Sequence, residues 1–266
     1  MKKIMQWVFV ATLICGASLF TSCSNDNVTD LKEKIIGKWM SIEIDGKSVL
    51  TDNKSIYTIG STSEGRLLVS ALSNQSEETE WDEQVEMMVS IKGKKMTLTY
   101  YLGESTKVVE VFKFTAIDDN MFTANHKITV TENGEETLSN EGEIHFVKVT
   151  DDFSQDLLGT WECLGITGDQ THNDDNARLE FLSDGSYKYY RQNDADEWEL
   201  VTNREISEYF VEGNYLATRW QEPGEPMEYE YWEIDKIDGH YMKWSGLRQL
   251  ENGARFRQGV TWEKVE

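Results

Sequence analysis

Two short stretches decide the reading of this chain: Ile35-Ile36-Gly37-Lys38-Trp39 and, far downstream, Leu157-Leu158-Gly159-Thr160-Trp161. Each places a pair of apolar residues before Gly-x-Trp, and each follows a polar lead-in with helical character. Working outward from them, further matches keep the same order. Trp81 answers Trp198, and Val89 to Leu98 is echoed by Phe210 to Leu216. Val111 to Asn120 is echoed by Tyr229 to Gly239. His145-Phe146-Val147-Lys148-Val149 closes the first copy as Thr261-Trp262-Glu263-Lys264-Val265 closes the second. A chain of 266 residues is long for one small barrel and suits two such units. The divide falls at Thr150 to Ser154, giving units at 31–150 and 151–266.

Within each copy apolar residues alternate with polar ones, the period of half-buried strands. Ala177, Leu179 and Phe181 share one face, with Arg178 and Glu180 on the other. Ser183-Asp184-Gly185-Ser186 follows, and Asp-Gly between alternating runs signals a hairpin. Further turns are expected at Gly213, Gly239 and Gly253. The two prolines, Pro223 and Pro226, share one loop. About eight strands per copy, with little amphipathic helix beyond the N-terminus, predict an all-β chain of two tandem antiparallel up-and-down barrels. They argue against a βαβ enzyme fold.

The first residues carry a different message. Met1-Lys2-Lys3, the apolar run Ile4 to Phe20 and the small Thr21-Ser22 before Cys23 have the layout of a signal peptide over 1–22. Leu19-Phe20-Thr21-Ser22-Cys23 resembles the bacterial lipobox, with Phe20 where Leu is usual. That resemblance implies cleavage before Cys23, acylation of its thiol and new amine, and a membrane anchor of several acyl chains. Residues 23–30 then read as the acylated cysteine and a flexible polar tether. The tether is similar to tags that export some Gram-negative lipoproteins, so an outer-membrane lipoprotein is expected, facing either the periplasm or the cell surface. With Lys2 and Lys3 removed from 26 basic residues, 24 stand against 48 acidic ones. That balance excludes nucleic acid as a partner and accounts for solubility outside the cytoplasm. Cys15 leaves with the signal and Cys23 carries lipid, so Cys163 is alone and is expected as a small buried apolar residue.

Gly37-Lys38-Trp39 and Gly159-Thr160-Trp161 resemble the Gly-x-Trp of lipocalins, where it opens the first strand of an eight-stranded meander. The second copy, with Leu179-x-Phe181-x-x-Asp184-Gly185-x-Tyr187, is similar to the lipocalin-like domains of anchored bacterial lipoproteins. The resemblance implies a Trp packed across the closed end of each barrel and a ligand held at the open one. The first copy has Ser63-Glu64-Gly65 where the second has Asp-Gly, so its barrel is expected to be irregular or incomplete.

The aromatic residues of the second copy supply the candidate ligand surface: Tyr187, Tyr189, Trp198, Tyr215, Trp220, Trp232 and Trp244. Such rings serve sugar stacking, apolar pockets and ordinary cores alike. The acidic loop 169–176, with Asp169, His172, Asn173, Asp174 and Asp175, offers oxygen ligands suited to Ca²⁺ but lacks the ordered spacing of an EF-hand, and a solvated loop explains it. Glu197 with Glu199, and Glu228 with Glu230, stand two apart on strands like paired glycosidase carboxylates, and solvent-face neighbours account for them. The four histidines form no metal-ligand spacing. The expectation is therefore a non-enzymatic lipoprotein without cofactor or metal. It binds a small apolar or amphipathic molecule, or a glycan, or else serves as an adaptor with filled barrels that contacts another envelope protein.

Overall fold

The computed structural model describes residues 28–62, 67–73, 85–168 and 176–265. Among these the chain forms a short helix, α1 (Val28–Lys34), and two antiparallel sheets. The first sheet contains β1 (Gly37–Ile44), β2 (Lys47–Ser48), β3 (Ser55–Ser61), β4 (Leu67–Ser73), β5 (Val85–Lys92), β6 (Lys95–Leu102), β7 (Thr106–Ile117), β8 (Met121–Glu132) and β9 (Glu135–Val149). The second contains β10 (Gly159–Thr167), β11 (Ala177–Phe181), β12 (Tyr187–Gln192), β13 (Trp198–Leu200), β14 (Ile206–Glu212), β15 (Tyr215–Gln221), β16 (Glu228–Ile237), β17 (Tyr241–Gln249) and β18 (Arg255–Val265). The fold is thus all-β, in two rolled meanders, as the alternation predicts.

Gly-x-Trp has the same physical basis in both. Gly37 and Gly159 adopt φ of 138° and 116°, values that side chains with a Cβ rarely reach. Cβ atoms there would lie 2.7 Å from Lys148 Cε and 3.1 Å from Lys264 Cε. Those lysines lie across the motif's indole rings, with Nζ 5.3 Å from the Trp39 ring centre and 5.0 Å from that of Trp161. Each indole is fully buried and donates its N–H to a lead-in carbonyl, Trp39 to Ile35 and Trp161 to Leu157, both at 2.7 Å. In the first copy Ile35 directly follows α1, its N–H bonding the Leu31 carbonyl; in the second Leu157 ends a single turn in which its N–H bonds the Phe153 carbonyl.

The barrels differ in closure, and the expectation for the first one is corrected. β1 pairs with both β3 and β9, so eight strands form a continuous ring around a core that includes Trp39, Leu98, Phe112, Phe122 and Phe146. Whatever the turn at Ser63-Glu64-Gly65 does, it lies outside the described residues, and the ladder is regular up to Ser61 opposite Leu67. The second sheet is the interrupted one. Among the described residues its ends meet through the bridge between Ser186 and Glu208, with Tyr209 N–H bonding Gly185 and Tyr209 Oη donating to the Leu182 carbonyl at 2.6 Å. β16 and β17 pair from the hairpin, Ile237 with Met242, out to Glu233 with Ser245, and part beyond that point.

The first unit fills that split. The turn at Thr51–Asn53, between β2 and β3, lies against β16 and β17. The fully buried Thr51 hydroxyl accepts from Leu247 N–H at 2.8 Å and donates to Glu233 at 2.9 Å, while its carbonyl accepts from Tyr215 Oη at 3.0 Å. Lys54, also buried, ion-pairs with Glu233 at 3.1 Å, and Arg248 bonds Asp52. Beside this wedge Met40 and Ile56, on the outer face of the first barrel, pack on Tyr215 and Ala217 of the second.

Replacing Thr51 by Val keeps the shape but strands the Leu247 N–H and one Glu233 oxygen, which costs about 1–3 kcal/mol. Urea unfolding followed by tryptophan fluorescence should show the lower midpoint; an unchanged midpoint would mean the wedge adds nothing.

Candidate functional site

Strand alternation assigns an inner face to the second barrel. On β16 Glu230, Trp232 and Ile234 point inward, and on β15 Leu216, Thr218 and Trp220 face them across the ladder. Near the Gly-x-Trp end the interior is filled by Trp161, Phe181, Met242 and Trp262. Toward the other end it becomes polar as well as aromatic.

Arg204, in the segment joining β13 to β14, centres on that region. Its guanidinium lies 4.7 Å from the Tyr189 ring centre and 4.8 Å from that of Trp220, and it donates to Tyr187 Oη at 3.2 Å. Its Nε is buried without a hydrogen-bond partner. Arg248 covers the Trp232 ring at 4.6 Å, donates to the Tyr231 carbonyl at 2.6 Å and reaches through the split to Asp52. Trp232 stacks on Trp244 with ring centres 5.4 Å apart, and Trp244 meets Trp262 edge-on at 4.9 Å. The indole N–H groups of Trp244 and Trp262 also lack partners, although these residues are only 2% and 5% exposed. Arg178 Nε, on the outer face, is orphaned too; since over nine in ten buried polar groups are hydrogen-bonded, the three orphaned donors on the inner side mark an interior that would accommodate acceptor atoms.

The electrostatics follow from burial. Desolvation, with the charge of Asp52, pushes the Glu230 carboxyl above its ordinary value, against the pull of Arg248, a bond from Trp232 and Arg204. Burial likewise raises Asp52 despite Arg248. Desolvation holds Tyr187 well above the usual phenol range, so it is a neutral hydrogen-bonding group.

Five of the seven aromatic candidates, Tyr187, Tyr189, Trp220, Trp232 and Trp244, therefore share this interior. Trp198 does not: it pairs with Gln192 on the outer face, where Arg178 lies 4.2 Å above its ring. Tyr215 points outward too, into the contact with Met40 and Ile56, and stacks on Tyr231 at 5.9 Å. Glu230, read from sequence as a solvent-face neighbour of Glu228, turns inward, because the Trp232 and Ile234 face is the buried one. Sequence reasoning missed Arg204, Arg248 and Trp262. The last two carry a legible signal, standing in phase with the apolar positions Met242, Trp244 and Val260 of their strands; Arg204 sits outside any strand and carries none. Cys163 is buried in the core of this barrel. Cys23, Trp81 and residues 169–175 of the acidic loop lie outside the described residues.

A second polar cluster, also missed, occupies the first barrel. Glu110 falls on the inner face of β7 between Val108 and Phe112 and is 3% exposed. Its carboxylate accepts from Tyr57 Oη at 2.9 Å, Tyr100 Oη at 3.0 Å and His126 Nε2 at 2.8 Å. A charged residue in phase with the apolar face of Val108-x-Glu110-x-Phe112-x-Phe114 was the available signal. Burial alone would raise this carboxyl, but the His126 bond and charge and the two tyrosine hydroxyls together hold it below the ordinary range.

Two opposite pH dependences follow. Glu110 has a depressed folded-state pKa, so its contribution is complete above the ordinary glutamate value of 4.5 and is lost as pH falls below it. Urea midpoints across that range should fall more steeply for the unaltered protein than for Glu110→Gln. Glu230 has a raised folded-state pKa, so stability is lost as pH rises through it. Glu230→Gln should raise the melting temperature at neutral pH and leave it unchanged at about pH 3, where the carboxyl is protonated in both states. A drop at neutral pH would show that Glu230 is held by its arginines rather than strained by burial.

No known family profile matches this chain, and no curated protein matches it. Solved structures do align with it loosely. A putative outer membrane protein from Bacteroides fragilis shares 10% identity over 88% of this chain and 99% of its own, with a TM-score of 0.24. A protein of unknown function from the DUF3598 family of Nostoc punctiforme shares 13% over 87% and 97%, also at 0.24. A double mutant of the vaccine antigen Transferrin Binding Protein B from Haemophilus parasuis shares 11% over 80% and 51%, at 0.21.

Proposed function

We propose that this chain is a non-catalytic binding lipoprotein of the outer membrane, anchored through Cys23, that holds a small amphipathic molecule or glycan in its second barrel. The observation that carries the reading is the Arg204 clamp. A guanidinium sandwiched between Tyr189 and Trp220, with an orphaned Nε and two orphaned indole N–H groups in the same barrel, is chemistry for oxygen acceptors on a body that packs against rings. The carboxylate pair read from the sequence is divided, with Glu230 turned inward near Arg248 and Asp52 and Glu228 exposed. An adaptor role has its own observation, since Met88 and Tyr101 are 61% and 53% exposed on the adjacent strands β5 and β6 of the first barrel.

Native mass spectrometry of the mature chain carrying Cys23→Ser separates the two. A co-purified molecule rich in oxygen atoms, retained by the unaltered barrel and lost at least tenfold from Arg204→Ala, is the expected result. A chain that flies bare, and stays bare after incubation with lipid and glycan extracts, overturns the cavity reading and leaves envelope pull-downs through the Met88 and Tyr101 face as the next step.

A further inference from the structure

The polar cluster in the first barrel does more than fill space. Glu110 is almost fully buried, and removing a carboxylate from water costs several kcal/mol unless its lone pairs are met. Here three side chains from three other strands meet them: Tyr57 from β3, Tyr100 from β6 and His126 from β8. An apolar side chain of similar volume at position 110 would complete the core at less cost, so core packing does not account for the arrangement.

What the cluster fixes is one imidazole. His126 stands directly opposite Phe112 in the ladder, its ring centre 4.5 Å from that of Phe112, so the ring points into the barrel. The ionised Glu110 takes the proton-bearing nitrogen, Nε2, at 2.8 Å. In an uncharged ring the other nitrogen, Nδ1, then keeps a bare lone pair. Among the described residues Nδ1 has no partner, and the side chain retains 19% of its surface. His126 lies on the inner side of β8, in phase with the buried Phe122 and Ala124. There Ile128, opposite Glu110, and Tyr100 are its neighbours. A carboxylate that holds one imidazole nitrogen so the other can act is the usual means of orienting a ligating or recognising histidine.

We propose that the first barrel holds a ligand site of its own, at which His126 Nδ1 accepts a hydrogen bond from an apolar small molecule carrying a single hydroxyl or amide N–H. The carboxylate beneath it is saturated by its three donors and acts as a positioning residue, without touching the ligand. The site is independent of the Arg204 clamp, which lies in the other barrel and offers donors where this one offers an acceptor. The two barrels of one chain thus select ligands of opposite hydrogen-bonding character.

The test compares phenol with its methyl ether, anisole, on the full mature chain, reading the imidazole nitrogen resonances by NMR in mildly alkaline buffer. His126 is assigned from its loss in His126→Gln. The expected result is an unprotonated Nδ1 that shifts on adding phenol, with phenol bound roughly tenfold more tightly than anisole, the worth of one hydrogen bond. Arg204→Ala should leave that shift intact. A proton on Nδ1 of the uncharged ring, an Nδ1 signal unmoved by phenol, or equal affinities for the two probes would overturn the proposal. The phenol-to-anisole affinity ratio is read on the unaltered protein and needs no assignment, so it decides the matter even where His126→Gln fails to fold.

Discussion

Each half of this molecule depends on a tryptophan at the floor of a rolled sheet. The indole of Trp39 or Trp161 must lie flat across the end of the barrel, and three contacts fix it there: the lead-in carbonyl that takes its N–H, the lysine laid over its ring, and the glycine whose backbone lets the lysine approach. The lysine comes from the last strand and the indole from the first, so this one contact joins the two ends of the meander. Sheet closure, core position and the inward set of every strand follow from it. That is why a three-residue motif repeated twice is enough to phase so much of the chain.

From that shared floor the two barrels diverge upward. The first seals its wall with backbone hydrogen bonds and places its polar content in one saturated cluster. The second leaves a split between β16 and β17, and its interior is lined by arginines laid on aromatic rings. Ladder hydrogen bonds that are missing at the split are replaced by Thr51, whose hydroxyl takes the free Leu247 N–H. The wall of the second barrel is therefore built from both units, and Arg248 spans it from the Trp232 ring inside to Asp52 outside.

Much of this was legible in the sequence, and the limits are physical. Alternation in Ala177 to Phe181 and the Asp184-Gly185 turn give strands, inner faces and a hairpin, because period two and turn chemistry are local properties. Five of seven aromatic candidates reach the second interior for the same reason. Trp198 and Tyr215 do not, since which face of a strand is inner depends on partners that the local pattern leaves ambiguous when both faces carry aromatics. Closure was read the wrong way round: a weaker turn signal at residues 63–65 says nothing about whether β1 meets β9, which is a contact between residues more than a hundred positions apart. Arg204 and the Thr51 wedge are tertiary placements of loop residues. The Glu110 cluster lies between these cases, visible as a charge in phase with apolar neighbours but with partners on three other strands.

The wedge also bears on how a tandem repeat can age. Two copies of a self-sufficient barrel can be reordered, separated or multiplied without structural penalty. Here part of the downstream copy's seam is completed by a turn from its upstream neighbour, and the open edges of β16 and β17 are covered only with that neighbour in place. Synthesis from the N-terminus delivers the turn before the sheet that needs it. The pair is directional in its contacts: the turn that completes the second wall comes from the copy that precedes it along the chain.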